Sequence, residues 1–149
     1  MLRHETRIAR ASDRAELVRM RTALWPDSTD DEVDELLGRS DGKAAILVAA
    51  RPEGGLCGYA EVGLRPFADG CVTSPVGYLE GIWVDPDRRR HGIATALVEG
   101  AAAWARARGM REFASDAALD NVASLEWHRA AGFEEAERVV CFRMSLEPA

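Results

Sequence analysis

The fold turns on the stretch Gly81-Ile82-Trp83-Val84-Asp85-Pro86-Asp87-Arg88-Arg89-Arg90-His91-Gly92-Ile93-Ala94. Its first part is apolar and strand-like, and Asp85-Pro86 breaks the strand. A basic turn follows, and a long helical pattern starts at once. Ile93, Ala96, Leu97, Ala101 and Trp104 recur on one face of a helix expected over Gly92–Arg108, and Gly109 ends it. A strand that runs through a tight turn into a helix presents free backbone N–H groups at the positive end of the helix dipole. That arrangement favours a phosphate or pyrophosphate. Gly92 lets the backbone approach an anion with no Cβ in the way. Neither G-x-x-x-x-G-K-[ST] nor G-x-G-x-x-G occurs. Taken alone, the turn reads better as a solvated arginine loop before an ordinary helix.

Working outward, Leu2–Ala9 is expected as a first strand. Ser12 is placed to cap a helix over Asp13–Trp25 with Leu17, Met20, Ala23 and Leu24 inward, ended by Pro26. Thr29-Asp30-Asp31-Glu32 is a capping box, which predicts a second short helix with Val33, Leu36 and Leu37 inward and Gly38 as its stop. Ala44–Arg51 reads as a buried strand, and Pro52-Glu53-Gly54-Gly55 turns the chain into an antiparallel return over Leu56–Leu64. Val76–Val84 is the next strand. After the long helix come a short strand at Arg111–Ser115, a helix from an Asn121 cap to Ala131 closed by Gly132, and a last strand at Val139–Leu146. The order β α α β β β α β α β predicts a single α/β domain spanning 1–149, with a mixed, mostly antiparallel central sheet flanked by helices.

The 149 residues suit one core. With 47% hydrophobic and 30% charged residues the composition is globular, which excludes a disordered chain. The longest apolar run, Ala44–Ala50, is seven residues, and a spanning helix needs about 20. No apolar run follows Met1-Leu2-Arg3-His4-Glu5, so no secretory signal is expected and the chain is expected in the cytoplasm. The net charge of -6 argues against nucleic acid or anionic membrane as partner and favours a cationic one. Cys57, Cys71 and Cys141 are odd in number and widely spaced, with no C-x-x-C and no histidine at ligand spacing. Three reduced thiols in or near the core are expected, with neither a disulfide framework nor a metal site.

Within the opening stretch, Arg89-x-x-Gly92-x-Ala94 resembles the acyl-CoA loop of the GNAT N-acetyltransferases, where Q/R-x-x-G-x-G/A follows the fourth strand. Asn121-x-x-Ser124, then His128-Arg129-Ala130-Ala131-Gly132-Phe133, resembles that family's N-x-x-[AS]…Y-x-x-x-G-F ending. Leu24-Trp25-Pro26, Ser74-Pro75, Leu79-Glu80-Gly81-Ile82, Ala114-Ser115-Asp116, Asp120-Asn121 and Gly132-Phe133-Glu134-Glu135 are similar, in order, to aminoglycoside 6'-N-acetyltransferases.

The resemblance implies the GNAT fold, acetyl-CoA as co-substrate, a small polycationic amine as acceptor, and a homodimer. Acetyl-CoA would lie across the strand end at Ile82, Trp83 and Val84. Its pyrophosphate would sit on the turn of Arg89, Arg90, His91, Gly92, Ile93, Ala94 and Thr95, with Asn121 touching it from the next helix. For Asn121 a plain N-cap is compatible with that role. Glu80 and Asp116 stand in otherwise apolar strand segments, where a carboxylate is costly unless it faces a cleft or a partner. The resemblance makes both of them acceptor-binding and one of them the proton acceptor. The bland alternative is an arginine partner or a strand end. Trp25 would wall the acceptor cleft, unless it is a core residue, and Glu137 would be a further contact. The acidic run Asp27–Glu35 could steer cations but reads better as a solvated helix face.

Two positions depart from the pattern. His128 stands where many members carry a tyrosine that protonates the leaving thiolate; it is either that acid or a packing residue. Phe67 stands where the aminoglycoside enzymes carry tyrosine, so a hydroxyl contact to the acceptor is missing. Besides the aminoglycoside enzyme, two readings stay open: an acetyltransferase for another polyamine or a protein N-terminus, and a non-catalytic acyl-CoA-binding module.

Overall fold

The computed structural model describes residues 4–149. Five strands form one sheet in sequence order: β1 (Thr6–Ile8), β2 (Ala44–Ala50), β3 (Leu56–Arg65), β4 (Val76–Val84) and β5 (Phe113–Ala114). The first four pair antiparallel, and β5 runs parallel to β4. The helices are α1 (Arg14–Leu24), α2 (Asp30–Gly38), α3 (Ile93–Ala107) and α4 (Val122–Ala130).

β2 shows why the sheet is central. Its apolar run has no polar alternation because both faces are covered. Ile46 and Val48 pack with Leu17, Met20, Val33 and Tyr59 under α1 and α2. Leu47 and Ala49 pack on the other face with Leu97, Ala101 and Trp104 of α3. The helical periodicities place these contacts correctly, except that Ala23 faces solvent.

The structure departs from the expected elements in several places. Of the strand expected over Leu2–Ala9, residues 2–3 lie outside the described residues and only Thr6–Ile8 pairs, against Leu47–Ala49 of β2. Ser12 caps nothing. A 3-10 turn over Ala11–Asp13 leads into α1, and buried Asp13 accepts from the Arg10 N–H at 2.7 Å and from Arg7 at 2.7 and 2.9 Å. Thr29 does cap α2, accepting from the Glu32 N–H, but the Glu32 carboxylate turns to Arg21 instead of closing the box. Val139–Leu146 is not a strand: it has no ladder partner among the described residues and its large apolar side chains are exposed. All three thiols are free. Cys57 is buried and Cys71 half-buried, whereas Cys141 is exposed on that last segment and outside the core.

Candidate active site

The ladder between β4 and β5 pairs only Gly77 with Phe113 and Tyr78 with Ala114. Beyond that point the two strands fork. A pocket of about 250 Å³ fills the fork, lined by Trp25, Leu79–Ile82, Ser115–Ala117, Asn121, Ser124 and His128. A second cavity, of about 300 Å³, lies away from these residues, between Leu36–Ser40 and Trp104–Arg108.

Glu80 reaches the pocket through a defect in its strand. The register of β3 against β4 shifts between Glu61 and Val62: Gly81 faces Glu61 and Leu79 faces Val62, so Glu80 is the extra residue of a β-bulge. Glu80 is exposed at this point, next to buried residues of the same strand. The Trp25 ring lies directly over Gly81, where an added Cβ would stand 2.4 Å from its Cη2. Only glycine lets the indole form this wall. Trp25 is therefore at the cleft, at the end of α1, with the Arg21 guanidinium 4.9 Å from its ring.

Both candidate carboxylates have partners within the chain. Arg65, at the end of β3, donates to Glu80 through Nε at 2.8 Å and Nη2 at 2.5 Å, and its guanidinium stacks 3.6 Å over the Tyr78 ring. The Tyr78 hydroxyl donates to Asp116. Burial, and then this bond to an anion, push the Tyr78 hydroxyl well above its usual pKa, so it stays a donor. Pairing with arginine and facing the cleft thus turn out to be compatible for Glu80. Glu61, which sequence reasoning missed, is a buried third carboxylate beside the bulge. Arg21 donates to it at 2.6 Å; burial nevertheless raises its pKa, with Glu80 adding to the effect.

On α4, Asn121 accepts from the Ser124 N–H at 3.1 Å, so it caps the helix and lines the pocket at once. His128 Nδ1 lies 2.7 Å from the Ser124 carbonyl oxygen. A carbonyl only accepts, so Nδ1 carries a proton. That turns Nε2 towards the Ser115 hydroxyl, 2.9 Å away. Trp127 and Phe133 pack edge-on against the imidazole, with centroids at 4.7 and 5.3 Å.

The turn after β4 fits a pyrophosphate. Gly92 has φ +83° and Arg90 φ +64°, both left-handed, and no side chain caps α3 among the described residues. The first N–H groups of Ile93, Ala94 and Thr95 therefore have no intrahelical acceptor. Arg90 and His91 are exposed on the turn, and the His91 carbonyl is met by His4. Arg89 is exposed as well but folds back on the strand end: its Nε donates to the Val84 carbonyl at 2.9 Å and its guanidinium covers Trp83 at 4.8 Å. It holds the turn in place, and the backbone is what faces an anion. Ile82 lines the pocket, whereas the Trp83 indole and buried Val84 pack into the two cores and leave only their backbone at the strand end. Asp85 ends the strand by more than its proline neighbour. Buried, it accepts from Arg19 twice at 3.0 Å, from Arg51 at 2.9 Å and from the Trp83 indole at 2.9 Å.

Two expected residues are elsewhere. Phe67 projects into solvent, 66% exposed, from a loop held by Glu112, which accepts from the N–H groups of Val72 and Thr73. Glu137 is exposed beyond Ala136, where the chain leaves the body. Neither lines the pocket.

A split sheet, a bulged fourth strand and an anion-binding turn before the long helix define a GNAT N-acetyltransferase. The model of the acetyltransferase (GNAT) family matches residues 12–133, and the chain belongs to that family. Among its relatives, an aminoglycoside N(6')-acetyltransferase type 1 of Klebsiella aerogenes is 46% identical over 140 residues, 91% of this chain and 92% of that protein. The crystal structure of an aminoglycoside antibiotic 6'-N-acetyltransferase from Acinetobacter baumannii superposes with TM-score 0.88 at 37% identity, covering 96% of this chain and 99% of that one. A further structure, TM-score 0.87 and 34% identity over 95% of this chain and 97% of the other, holds a bisubstrate analogue of CoA and acetylneamine.

Proposed function

We propose that this chain transfers the acetyl group of acetyl-CoA to the 6'-amino group of aminoglycosides. The observation that carries the reading is that Glu80 of β4 and Asp116, two residues beyond β5, open on one pocket at the fork of the two strands. A polycationic amino sugar supplies the ammonium groups such a pair selects. A module that only binds acyl-CoA has no use for both. The likeness to 6'-N-acetyltransferases over nearly the whole chain supports the acceptor class.

In this reading the pyrophosphate rests on the backbone of Arg90–Thr95 and the pantetheine arm enters the fork past Ile82. The neutral acceptor nitrogen forms a C–N bond to the thioester carbonyl carbon as the C–S bond breaks. Glu80 and Asp116 hold and orient the acceptor, and one of them takes the proton shed by nitrogen, directly or through water. Backbone N–H groups at the open edge of β4 polarise the carbonyl. The departing thiolate has a conjugate acid of pKa about 8.5 and needs little assistance. His128, held by Ser124 and Ser115, lines the pocket, and the thiolate takes its proton from solvent. Trp25 walls the acceptor side, while Phe67 and Glu137 are left out of it. The enzyme works in the cytoplasm as a homodimer.

Thiol release from acetyl-CoA, measured against aminoglycosides with and without a free 6'-amine, spermidine and a peptide, tests the reading. Release is expected only with the free 6'-amine. Release with spermidine or peptide alone would replace the acceptor, and silence across the panel with acetyl-CoA still bound would remove the catalytic reading.

A further inference from the structure

Beneath the Trp25 wall lies an ion pair that the mechanism does not use. Glu61 of β3 is 7% exposed and stands opposite Gly81 in the β3–β4 register. Its side chain therefore projects to the face on which the Trp25 ring covers Gly81. Among the described residues its only side-chain partner is Arg21 of α1, whose Nε donates to it at 2.6 Å. A buried ion pair is weak support for a fold, since apolar residues of similar volume generally do as well or better. Its use lies in direction, because two charged partners hold each other at one distance and one angle.

Arg21 turns its other donors to the segment that carries Trp25. Its Nη1 donates to the Ser28 hydroxyl at 2.6 Å and to the Glu32 carboxylate at the start of α2. The backbone closes the same turn from both sides. The Trp25 N–H donates to the Arg21 carbonyl at 2.7 Å, and the Ser28 N–H to the Trp25 carbonyl at 2.9 Å. The guanidinium itself lies 4.9 Å from the indole centroid, within range of a cation–π contact. One side chain thus joins β3 beside the bulge, the end of α1, the turn and α2.

We propose that Arg21 and Glu61 are positioning residues for the acceptor: the pair pins the Trp25 indole over Gly81 and so fixes the wall against which the amino sugar seats beside Glu80. Neither residue lines the pocket, so neither touches the acceptor or the reacting atoms. Loss of the pair frees the turn at Ser28 and lets the indole leave Gly81, which weakens acceptor binding. The turn into α3 and the strand end at Ile82 make no bond to Arg21 or Glu61, so acetyl-CoA binding is untouched. The inference deepens the acceptor site proposed above and rests on it.

The test removes both charges at once, in Arg21→Met/Glu61→Leu, because a single change would leave a buried charge without its partner. Labelled with 5-fluorotryptophan, the full chain gives a fluorine resonance for each of its four tryptophans, and Trp25→Phe assigns the one in question. The double variant is expected to melt as wild type does and to bind acetyl-CoA with unchanged affinity. Its Trp25 resonance is expected to shift and broaden while those of Trp104 and Trp127 stay. Its KM for an aminoglycoside with a free 6'-amine is expected to rise about tenfold with little change in kcat. Arg21→Lys keeps the charge beside Glu61 without the planar fork, and the same changes, smaller, are expected. An unmoved Trp25 resonance in both variants overturns the positioning, and so does a moved resonance with the acceptor KM unchanged. If the wild type acetylates no aminoglycoside, the acceptor reading fails, and the resonance alone decides whether the pair holds the indole.

Discussion

Arg65 grips both oxygens of Glu80. In the proposed mechanism a cationic acceptor has to displace it. Arg65→Gln is therefore expected to lower the acceptor KM several-fold, read by steady-state kinetics at saturating acetyl-CoA. The loss of stability should stay under about 1 kcal/mol, because the pair is largely exposed. A KM that rises instead would make Arg65 an acceptor contact. Glu80→Gln and Asp116→Asn are each expected to cut kcat/KM about 100-fold, with acetyl-CoA affinity unchanged by calorimetry. Full activity in both would remove them from the site. These two carboxylates were legible in the sequence because a charge inside an apolar strand needs a reason. Their partners were not: Arg65 lies 15 positions from Glu80 and Tyr78 lies 38 from Asp116, and only the folded sheet brings them together.

Among the elements, the turn into α3 was the most legible, since Pro86, the arginines and Gly92 are local signals. Gly92→Ala separates its two contributions. An added Cβ has room, its nearest neighbour being His4 Cδ2 at 3.8 Å, so the cost is the left-handed backbone, about 1–2 kcal/mol. Thermal unfolding is expected to shift down by a few degrees, and the KM for acetyl-CoA to rise as the N–H cradle tilts. An unchanged KM would mean the pyrophosphate sits elsewhere. The bulge at Glu80 was not legible. A bulge is a mismatch of register between two strands, and β4 alone carries no sign of where β3 will be shifted against it. Nor was the truncation of β5, expected over Arg111–Ser115 and observed as Phe113–Ala114, because pairing needs a neighbour and not only propensity.

At the scale of the molecule, Asp85 ties α1, the end of β2 and the turn together through Arg19 and Arg51. Burial by itself would raise its pKa; the bonds from Arg19, Trp83 and Arg51 outweigh that and hold it below the usual range. Arg51 likewise draws the exposed Asp87 to about 2. A carboxylate with a depressed folded pKa stabilises the fold above its unfolded value and stops doing so as pH falls through the folded one. Stability to urea is therefore expected to hold from pH 7 to about 4 and to drop between about 4 and 2. Asp85→Asn should flatten that drop while costing about 3 kcal/mol at pH 7, the loss of a buried charge from its partners. An unchanged acid limb in Asp85→Asn would place the titration on other groups.

The helices, the apolar strands β2 to β4, the turn into α3 and the choice of Glu80 and Asp116 were legible in the chain alone. Each of these is written in spacing a few residues long, where periodicity, caps and misplaced charges act locally. Tertiary structure alone decided how the charges are spent: Glu80 on Arg65, Asp116 on Tyr78, Asp85 on three donors. It also decided that Phe67 and Glu137 fall outside the pocket. The last segment shows the boundary most plainly. Val139–Leu146 has the alternation of a strand, but a strand exists only where another backbone offers its N–H and C=O groups. Whether one does is a property of what surrounds the segment, not of its own residues.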